Sequence, residues 1–365
     1  MAILKQLPSP PQGKIGFPWT EETPPPDFIG TSPYKAENLP KISIITPSFN
    51  QGQFIEETIR SVLLQGYPNL EYIVIDGGST DETLEIIQKY SDFITYWVSE
   101  KDNGQADAIN KGLKQATGEV FNWLNSDDYY LPNALITVAE AFKNTEMNIF
   151  CAQQYTETND GKRTHFKGVT YKKTLEETLV SPYFSQSPTF FRLPIVKELG
   201  GLESNLFFCM DLELWLNYLT HFGHKDIFES DAFLAVFRIH PDTKTSNAKK
   251  INYSDCFNLL MALVRSSEDA ANFPSHFLKD NSIFSIYFIK QYPLNGLVLR
   301  GEKFEEKRLL LLIAQQLVSF YSQYMGWQGF FELYFYVFRQ LPLVRNWRFY
   351  LSPLIKIKRI VWPIL

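Results

Sequence analysis

The chain is poor in the features that mark several large protein classes. It has three cysteines in 365 residues. Cys151, Cys209 and Cys256 are far apart and odd in number, with none of the close pairs that hold zinc. This excludes a disulfide scaffold and suits a reducing cytosol. There is no surplus of positive charge either. Thirty-five Lys and Arg stand against 40 Asp and Glu, a net charge of -5, which argues against nucleic acid as the main partner. Met1-Ala2-Ile3-Leu4-Lys5 runs into prolines without the apolar stretch of a signal peptide. Long uninterrupted apolar runs are also missing. Residues 309–331 carry no formal charge until Glu332, but Gln315, Gln316, Gln323, Gln328, Gly326 and Gly329 break them up. That pattern predicts a buried or interfacial helix rather than a membrane span.

Several nucleotide and hydrolase signatures are absent too. No G-x-G-x-x-G follows the first predicted strand, where Pro47-Ser48-Phe49-Asn50-Gln51-Gly52 stands instead. The chain has no G-x-x-x-x-G-K-[ST], no H-E-x-x-H and no G-x-S-x-G. The usual dehydrogenase, P-loop, zinc-protease and α/β-hydrolase sites are therefore excluded.

What is present begins with a proline-rich arm over residues 1–40, expected to be extended on the surface, with Phe17 and Trp19 as anchors. From Lys41 the pattern alternates. Strands are predicted over 42–46, 70–75, 94–98 and 119–124, with helices over 54–64, 82–89 and 105–115 between them. This is the pattern of an α/β fold whose parallel sheet is joined by helical crossovers. In such sheets ligands lie beyond the carboxyl ends of the strands. Four polar stretches fall at those ends: Thr46 to Asn50, Asp76 to Asp81, Ser99 to Gly104, and Asn125-Ser126-Asp127-Asp128. Two adjacent acids after an apolar strand are costly to bury unpaired. They suit a divalent cation held against a phosphate, whereas alone they would also read as a helix cap.

In order, Thr46-Pro47-Ser48-Phe49-Asn50, Val74 to Asp81, Asn125 to Asp128 and Met210-Asp211-Leu212-Glu213-Leu214-Trp215-Leu216 resemble the signatures of family 2 glycosyltransferases. The resemblance covers about residues 41–245 and implies the GT-A fold, with a mainly parallel central sheet. It implies an inverting transferase that moves a sugar from a nucleotide-diphosphate donor to a hydroxyl of a glycan or lipid-linked glycan.

It further implies that Asp127 and Asp128 bind Mg2+ or Mn2+, with Asn125 in the place of the family's first acid. Asp76 is implied at the base, although Gly77 replaces a second acid. Thr46, Ser48 and Asn50 are expected to line the nucleotide pocket. Asp102, Asn103 and Gln105 would contact nucleotide or sugar at the start of a helix. Asp211 is the expected general base, with Glu213 as the alternative and a plain helix cap as the competing reading. Arg238, His240 and Lys244 form a second constellation that would clamp the diphosphate, or in which Arg238 and Lys244 do so while His240 ligates the metal; a structural hydrogen bond is the competing reading for His240. Gln186 is a weaker candidate for sugar or acceptor contact.

The expected domains are the arm (1–40), the GT-A catalytic domain (41–250) and a helical, aromatic-rich C-terminal region (251–365). After Glu332 all formal charges are basic: Arg339, Arg345, Arg348, Lys356, Lys358 and Arg359, interleaved with Trp347, Tyr350 and Trp362. Such a segment suits peripheral contact with an anionic leaflet; packing on the core or on a partner is the alternative. The expected location is cytoplasmic, at the inner face of the plasma membrane. Two rival functions stand beside the transferase. A sugar-phosphate nucleotidyltransferase would want a Gly-rich basic loop after the first strand, which Ser48-Phe49-Asn50 does not supply. A non-catalytic carbohydrate-binding or scaffold relative would fit Gly77, Asn125 and Met210.

Overall fold

The structure, a computed structural model, describes residues 3–24, 39–170, 172–180, 183–206 and 208–244, and beyond them 259, 263–264 and 308–314. The chain divides into two compact units. Residues 1–170, 183–215 and 224–252 make the first, and residues 171–182, 216–223 and 253–365 the second.

The first unit opens with the expected alternation. It runs β1 (Ile42–Ser48), α1 (Gly52–Leu63), β2 (Leu70–Asp76), α2 (Thr83–Lys89), β3 (Tyr96–Ser99), α3 (Gln105–Gln115) and β4 (Val120–Trp123). β1 is buried at every position. This is what a β-branched run becomes in a parallel strand covered on both faces. In α1 the stripe Ile55, Ile59 and Val62 enters the core with Ile42, Ile44, Tyr72 and Val74. Each such side chain contributes roughly 1.5–3 kcal/mol on burial.

The later elements are β5 (Tyr129–Tyr130), α4 (Ala134–Ala141), β6 (Ile149–Thr158), β7 (Arg163–Phe166), β8 (Val169–Thr170), α5 (Leu175–Val180), β9 (Tyr183–Phe184), β10 (Thr189–Arg192), α6 (Leu193–Glu198), α7 (Met210–Phe222) and β11 (Ile227–Ile239). The main sheet has the order β3-β2-β1-β4-β10-β6-β11-β5, with β7 paired to β6. β3, β2, β1 and β4 are mutually parallel. β10 then enters antiparallel between β4 and β6, and β11 is parallel to β6. The chain leaves β1 toward β2 and β3 and returns to its other side as β4. That reversal leaves a crevice beyond the carboxyl ends of β1 and β4, where open α/β sheets bind ligands.

The arm departs from the expected extended form. Its described residues run in turns, with Leu7 and Trp19 buried. The reason is Arg60, a fully buried arginine of α1. Its Nε donates to the Pro18 carbonyl at 2.9 Å, Nη1 to the Pro8 carbonyl at 2.9 Å and Nη2 to the Trp19 carbonyl at 2.7 Å.

In the second unit, Arg308 Nη2 lies 3.1 Å from Glu177 Oε1 of α5, and residues 308–314 are helical. Among the described residues no helix is long and apolar enough to cross a membrane. The basic, aromatic segment 330–365 lies outside the described residues.

Candidate active site

Four strand ends meet at the crevice. At the end of β2, Asp76 is fully buried. Its Oδ2 accepts from the backbone N–H groups of Gly78 (3.1 Å) and Ser79 (2.9 Å) and from Ser99 Oγ (2.6 Å), and its Oδ1 accepts from Ser79 Oγ. A carboxylate has about four acceptor positions, so Asp76 is committed to shaping its own turn.

Thr46 is buried one strand over, its Oγ1 3.1 Å from Tyr72 OH. Asn50 adopts a left-handed φ of 51°, which Asn tolerates better than most residues. There its Oδ1 accepts from the Thr80 N–H at 2.9 Å, tying the β1–α1 turn to the β2–α2 turn. Ser48 Oγ, at the lip of β1, is buried with no hydrogen-bond partner among the described residues. Asp102 Oδ1 accepts from the Gly104 N–H at 2.9 Å, and a side chain at Gly77 would meet Asp102 Oδ2 at 2.6 Å. Burial raises the Asp102 pKa. Asn103 donates its backbone N–H to Asp107 Oδ2 at 3.0 Å and stays on the exposed side.

The two acids after β4 have different surroundings. Asp128 is fully buried. Its Oδ1 accepts from the Arg238 backbone N–H at 3.0 Å, and its Oδ2 accepts from Ser187 Oγ at 3.1 Å. Burial, and then the neighbouring Asp127 charge, push its pKa well up. Asp127 keeps its carboxylate toward the crevice, where Oδ2 lies 3.1 Å from His240 Nε2. Its carbonyl accepts from Arg238 Nη1 at 3.0 Å, and Arg238 Nη2 pairs with Glu57 Oε2 at 2.8 Å. Asp127 and His240 therefore meet as expected, while Asp128 is turned into the fold. Among the described residues no three His, Cys, Asp or Glu side chains cluster as a metal cage. Two protein ligands, one carboxylate and one imidazole, still fit Mg2+ or Mn2+, which take their remaining oxygens from water and substrate phosphate.

A chain of amides joins this loop to the far side of the site. Lys244 Nζ donates to Gln105 Oε1 at 2.9 Å, and Gln105 Nε2 donates to Asn125 Oδ1 at 2.6 Å. Asn125 Nδ2 then reaches Asp128 Oδ2 at 3.4 Å. Lys244 also acts by its charge on Asp211 in the first turn of α7, opposing a rise in pKa that burial causes. Asp211 is thus a carboxylate with raised basicity facing the same cation that reaches Gln105. Glu213 lies two positions on, about 200° around the helix. It is buried, its pKa pushed up to about 8 chiefly by that burial, and it faces Glu203. Asp211 is only partly buried, whereas Glu213 is buried.

Several supporting residues were not visible as such in the sequence. Thr58 Oγ1 lies 2.9 Å from the Ser126 carbonyl and 2.6 Å from that of Asp128. Ser61 Oγ accepts from the Tyr130 N–H at 3.1 Å, and Gln65 Nε2 donates to the Leu131 carbonyl at 3.0 Å. Thr58 and Ser61 lie one turn apart on α1, and Gln65 follows just past its end. That polar stripe beside the apolar one was the available signal. Gln186 Nε2 donates to Asn122 Oδ1 (3.0 Å) and to the Trp123 carbonyl (2.7 Å), which secures the end of β4.

Comparison with known proteins agrees with this geometry. Residues 43–200 match the model of glycosyl transferase family 2. An uncharacterised glycosyltransferase of Rickettsia typhi is 29% identical over 220 residues, which are 57% of this chain and 66% of that one. The chain thus spans just under two thirds of that relative's length. The GalNAc(5)-diNAcBac-PP-undecaprenol beta-1,3-glucosyltransferase of Campylobacter jejuni is 27% identical over 246 residues, covering 63% of this chain and 77% of the other. Among solved structures, residues 1–349 of S. aureus TarS in complex with UDP-GlcNAc align with a TM-score of 0.51 at 20% identity, over 76% of this chain and 81% of that one. At that identity the likeness is one of fold. The sheet is that of the GT-A fold, and within it residues 43–200 match glycosyl transferase family 2.

Proposed function

We propose that this glycosyltransferase moves a sugar from a nucleoside-diphosphate donor to a hydroxyl of a glycan acceptor with inversion, and that Asp211 is its base. The observation that carries this reading is the placement of Asp211. It is a carboxylate of raised pKa, linked through Lys244, Gln105 and Asn125 to the loop that presents Asp127. In the transfer, Asp211 takes the proton of the acceptor hydroxyl as that oxygen bonds to the anomeric carbon. The bond from that carbon to the diphosphate oxygen breaks, and the nucleoside diphosphate leaves with the electron pair. Arg238 and Lys244 supply positive charge near the leaving group. Ser48, with its unpartnered hydroxyl, and Asp102 face the nucleoside. Asp127 and His240 would hold a divalent cation, which would neutralise charge on the departing diphosphate.

Donor hydrolysis and transfer, measured over a panel of nucleotide sugars with and without Mn2+, test this reading. Turnover of at least one donor is expected, and loss of transfer in Asp211→Asn with donor binding kept. If no donor is bound or turned over, the reading is wrong and the non-catalytic alternative takes its place. We also propose that residues 330–365 contact an anionic leaflet through their basic and aromatic side chains. Pelleting with anionic liposomes, with and without that segment, tests it; equal pelleting removes the proposal.

A further inference from the structure

One feature of the first unit begins at the crevice and leads away from it. It starts at Arg238, the residue that holds the Asp127 carbonyl, and runs outward along one face of β6, β7 and β11. Arg238 lies 4.5 Å from the Tyr129 ring centroid. Arg163 lies 5.9 Å from the same ring and 6.0 Å from that of Tyr155. Tyr155 stacks on Phe233 at 4.3 Å and 14°, and His165 meets Phe233 edge-on at 4.8 Å. The face follows from register. Gln153, Tyr155 and Glu157 alternate along β6, Tyr155 pairs with His165, and Glu157 pairs with both Arg163 and Arg238. Phe233 pairs with Gln153. From Glu157 to Gln153 the ladder covers roughly 13 Å of strand, more than one hexose ring. Its outer members are open: Arg163 and His165 are exposed, and Tyr155 and Phe233 are half-buried.

Each cation in the ladder already has its anion. Arg163 Nε is 2.7 Å from Glu157 Oε2, and Arg238 Nη2 is 2.8 Å from Glu57 Oε2. Beside them Gln153 Nε2 donates to Asp231 Oδ1 at 2.6 Å. A strip of this kind exerts little net field on an anion or an acidic membrane. The stacked rings offer their outward edges to apolar C–H groups, beside a rim of carboxylate, imidazole and guanidinium groups for hydroxyls. A neutral oligosaccharide has both.

We propose that this ladder is the acceptor track, and that the acceptor is an uncharged glycan whose terminal residue reaches the crevice at Arg238 while the preceding sugars lie along Tyr155 and Phe233. The proposal rests on the glycosyltransferase reading above and names its acceptor class.

The test uses the full chain with a nucleoside diphosphate and Mn2+ bound. Neutral malto-, cello- and chito-oligosaccharides are compared with oligogalacturonate by saturation-transfer NMR and calorimetry. At least one neutral series is expected to bind. Tyr155→Leu with Phe233→Leu keeps apolar volume but removes the rings, and should weaken that binding about tenfold. The exposed variant His165→Ala should weaken it less. Nucleoside-diphosphate affinity should match wild type in each variant, showing that the fold is intact. Binding of oligogalacturonate alone, of no oligosaccharide, or of neutral ones equally well by the ring-deleted variant would overturn the proposal. If the diphosphate itself is not bound, the glycosyltransferase reading falls first and this one with it.

Discussion

The parallel half of the sheet and its mixed half build the site in different ways. In β3-β2-β1-β4 the site groups sit in turns after strands, and their bonds are local: Asp76 is held by Gly78, Ser79 and Ser99. In β10-β6-β11-β5 they come from β11 and from residues flanking the strands, and pair across long stretches of chain. Arg238 donates its backbone N–H to Asp128, 110 residues away, and Ser187 reaches the same carboxylate. The nucleotide side is therefore assembled by short loops at adjacent strand ends that brace one another. The transfer side exists only once distant strands have paired. Asp127 and Asp128 stand at the seam, one carboxylate facing each way.

The largest expected effect separates chemistry from binding at that seam. Asp211→Asn should reduce transfer by about 10²–10⁴-fold while donor affinity, read by calorimetry, stays near wild type. A variant with full transfer activity would remove Asp211 from its role. The pH profile sharpens the same point. The base works only as the carboxylate, and burial raises the Asp211 pKa. Transfer should therefore rise with pH through a point above the usual carboxylate range. Lys244 opposes that rise, so Lys244→Met should move the acid limb of kcat to higher pH, not lower.

Next in size is the structural role of Asp128. Asp128→Ala should cost about 3 kcal/mol, because it leaves the Arg238 N–H and the Ser187 hydroxyl without their buried acceptor. Asp127→Ala should cost little stability but lower Mn2+ affinity. Thermal midpoints and metal titration read the two effects. Equal losses of stability in both variants would erase the distinction between the two carboxylates.

A smaller effect depends on pH. Burial pushes the Glu213 pKa up to about 8 in the fold, from an ordinary value near 4.5. The folded state then holds the extra proton, and stability falls as pH rises from the unfolded pKa through about 8. Glu213→Gln should stabilise by about 1–3 kcal/mol at pH 9 and change little near pH 4, where both side chains are neutral. Unfolding at the two pH values checks the sign. The smallest change tests the polar stripe of α1: Thr58→Val should cost about 1 kcal/mol and loosen the loop at Asp127, read as weaker metal binding.

The same contrast explains what the sequence disclosed. The first four strands were legible because β-branched runs alternate with helical stripes, and every polar stretch expected at a carboxyl end is there. Asp127 lies against His240, the two residues assigned to the metal, whereas the contacts of Gln105 with Asn125 and Lys244 were not foreseen. What was hidden depends on pairing over distance. The sequence placed Asp127 and Asp128 together as metal ligands, and only the Arg238 and Ser187 bonds show Asp128 to be turned inward. Asp76 was placed at the base by its resemblance; that its carboxylate also closes its own turn is not visible in the residue order. Glu57 and Thr58 carried no signal in the sequence, because the guanidinium and carbonyls they engage lie far along the chain.

The arm's hold on Arg60 makes a point about supply and demand of hydrogen bonds. A guanidinium only donates, and a prolyl residue only accepts. Two of the three backbone acceptors are prolines, so the arm meets the buried cation without introducing an amide donor of its own at those positions. Trimming the first 20 residues to shorten the protein would strip Arg60 of its carbonyls and strand a charge inside the fold, at a cost of about 3–5 kcal/mol. The segment that looks most dispensable on paper would then prove to be one the first unit cannot lose.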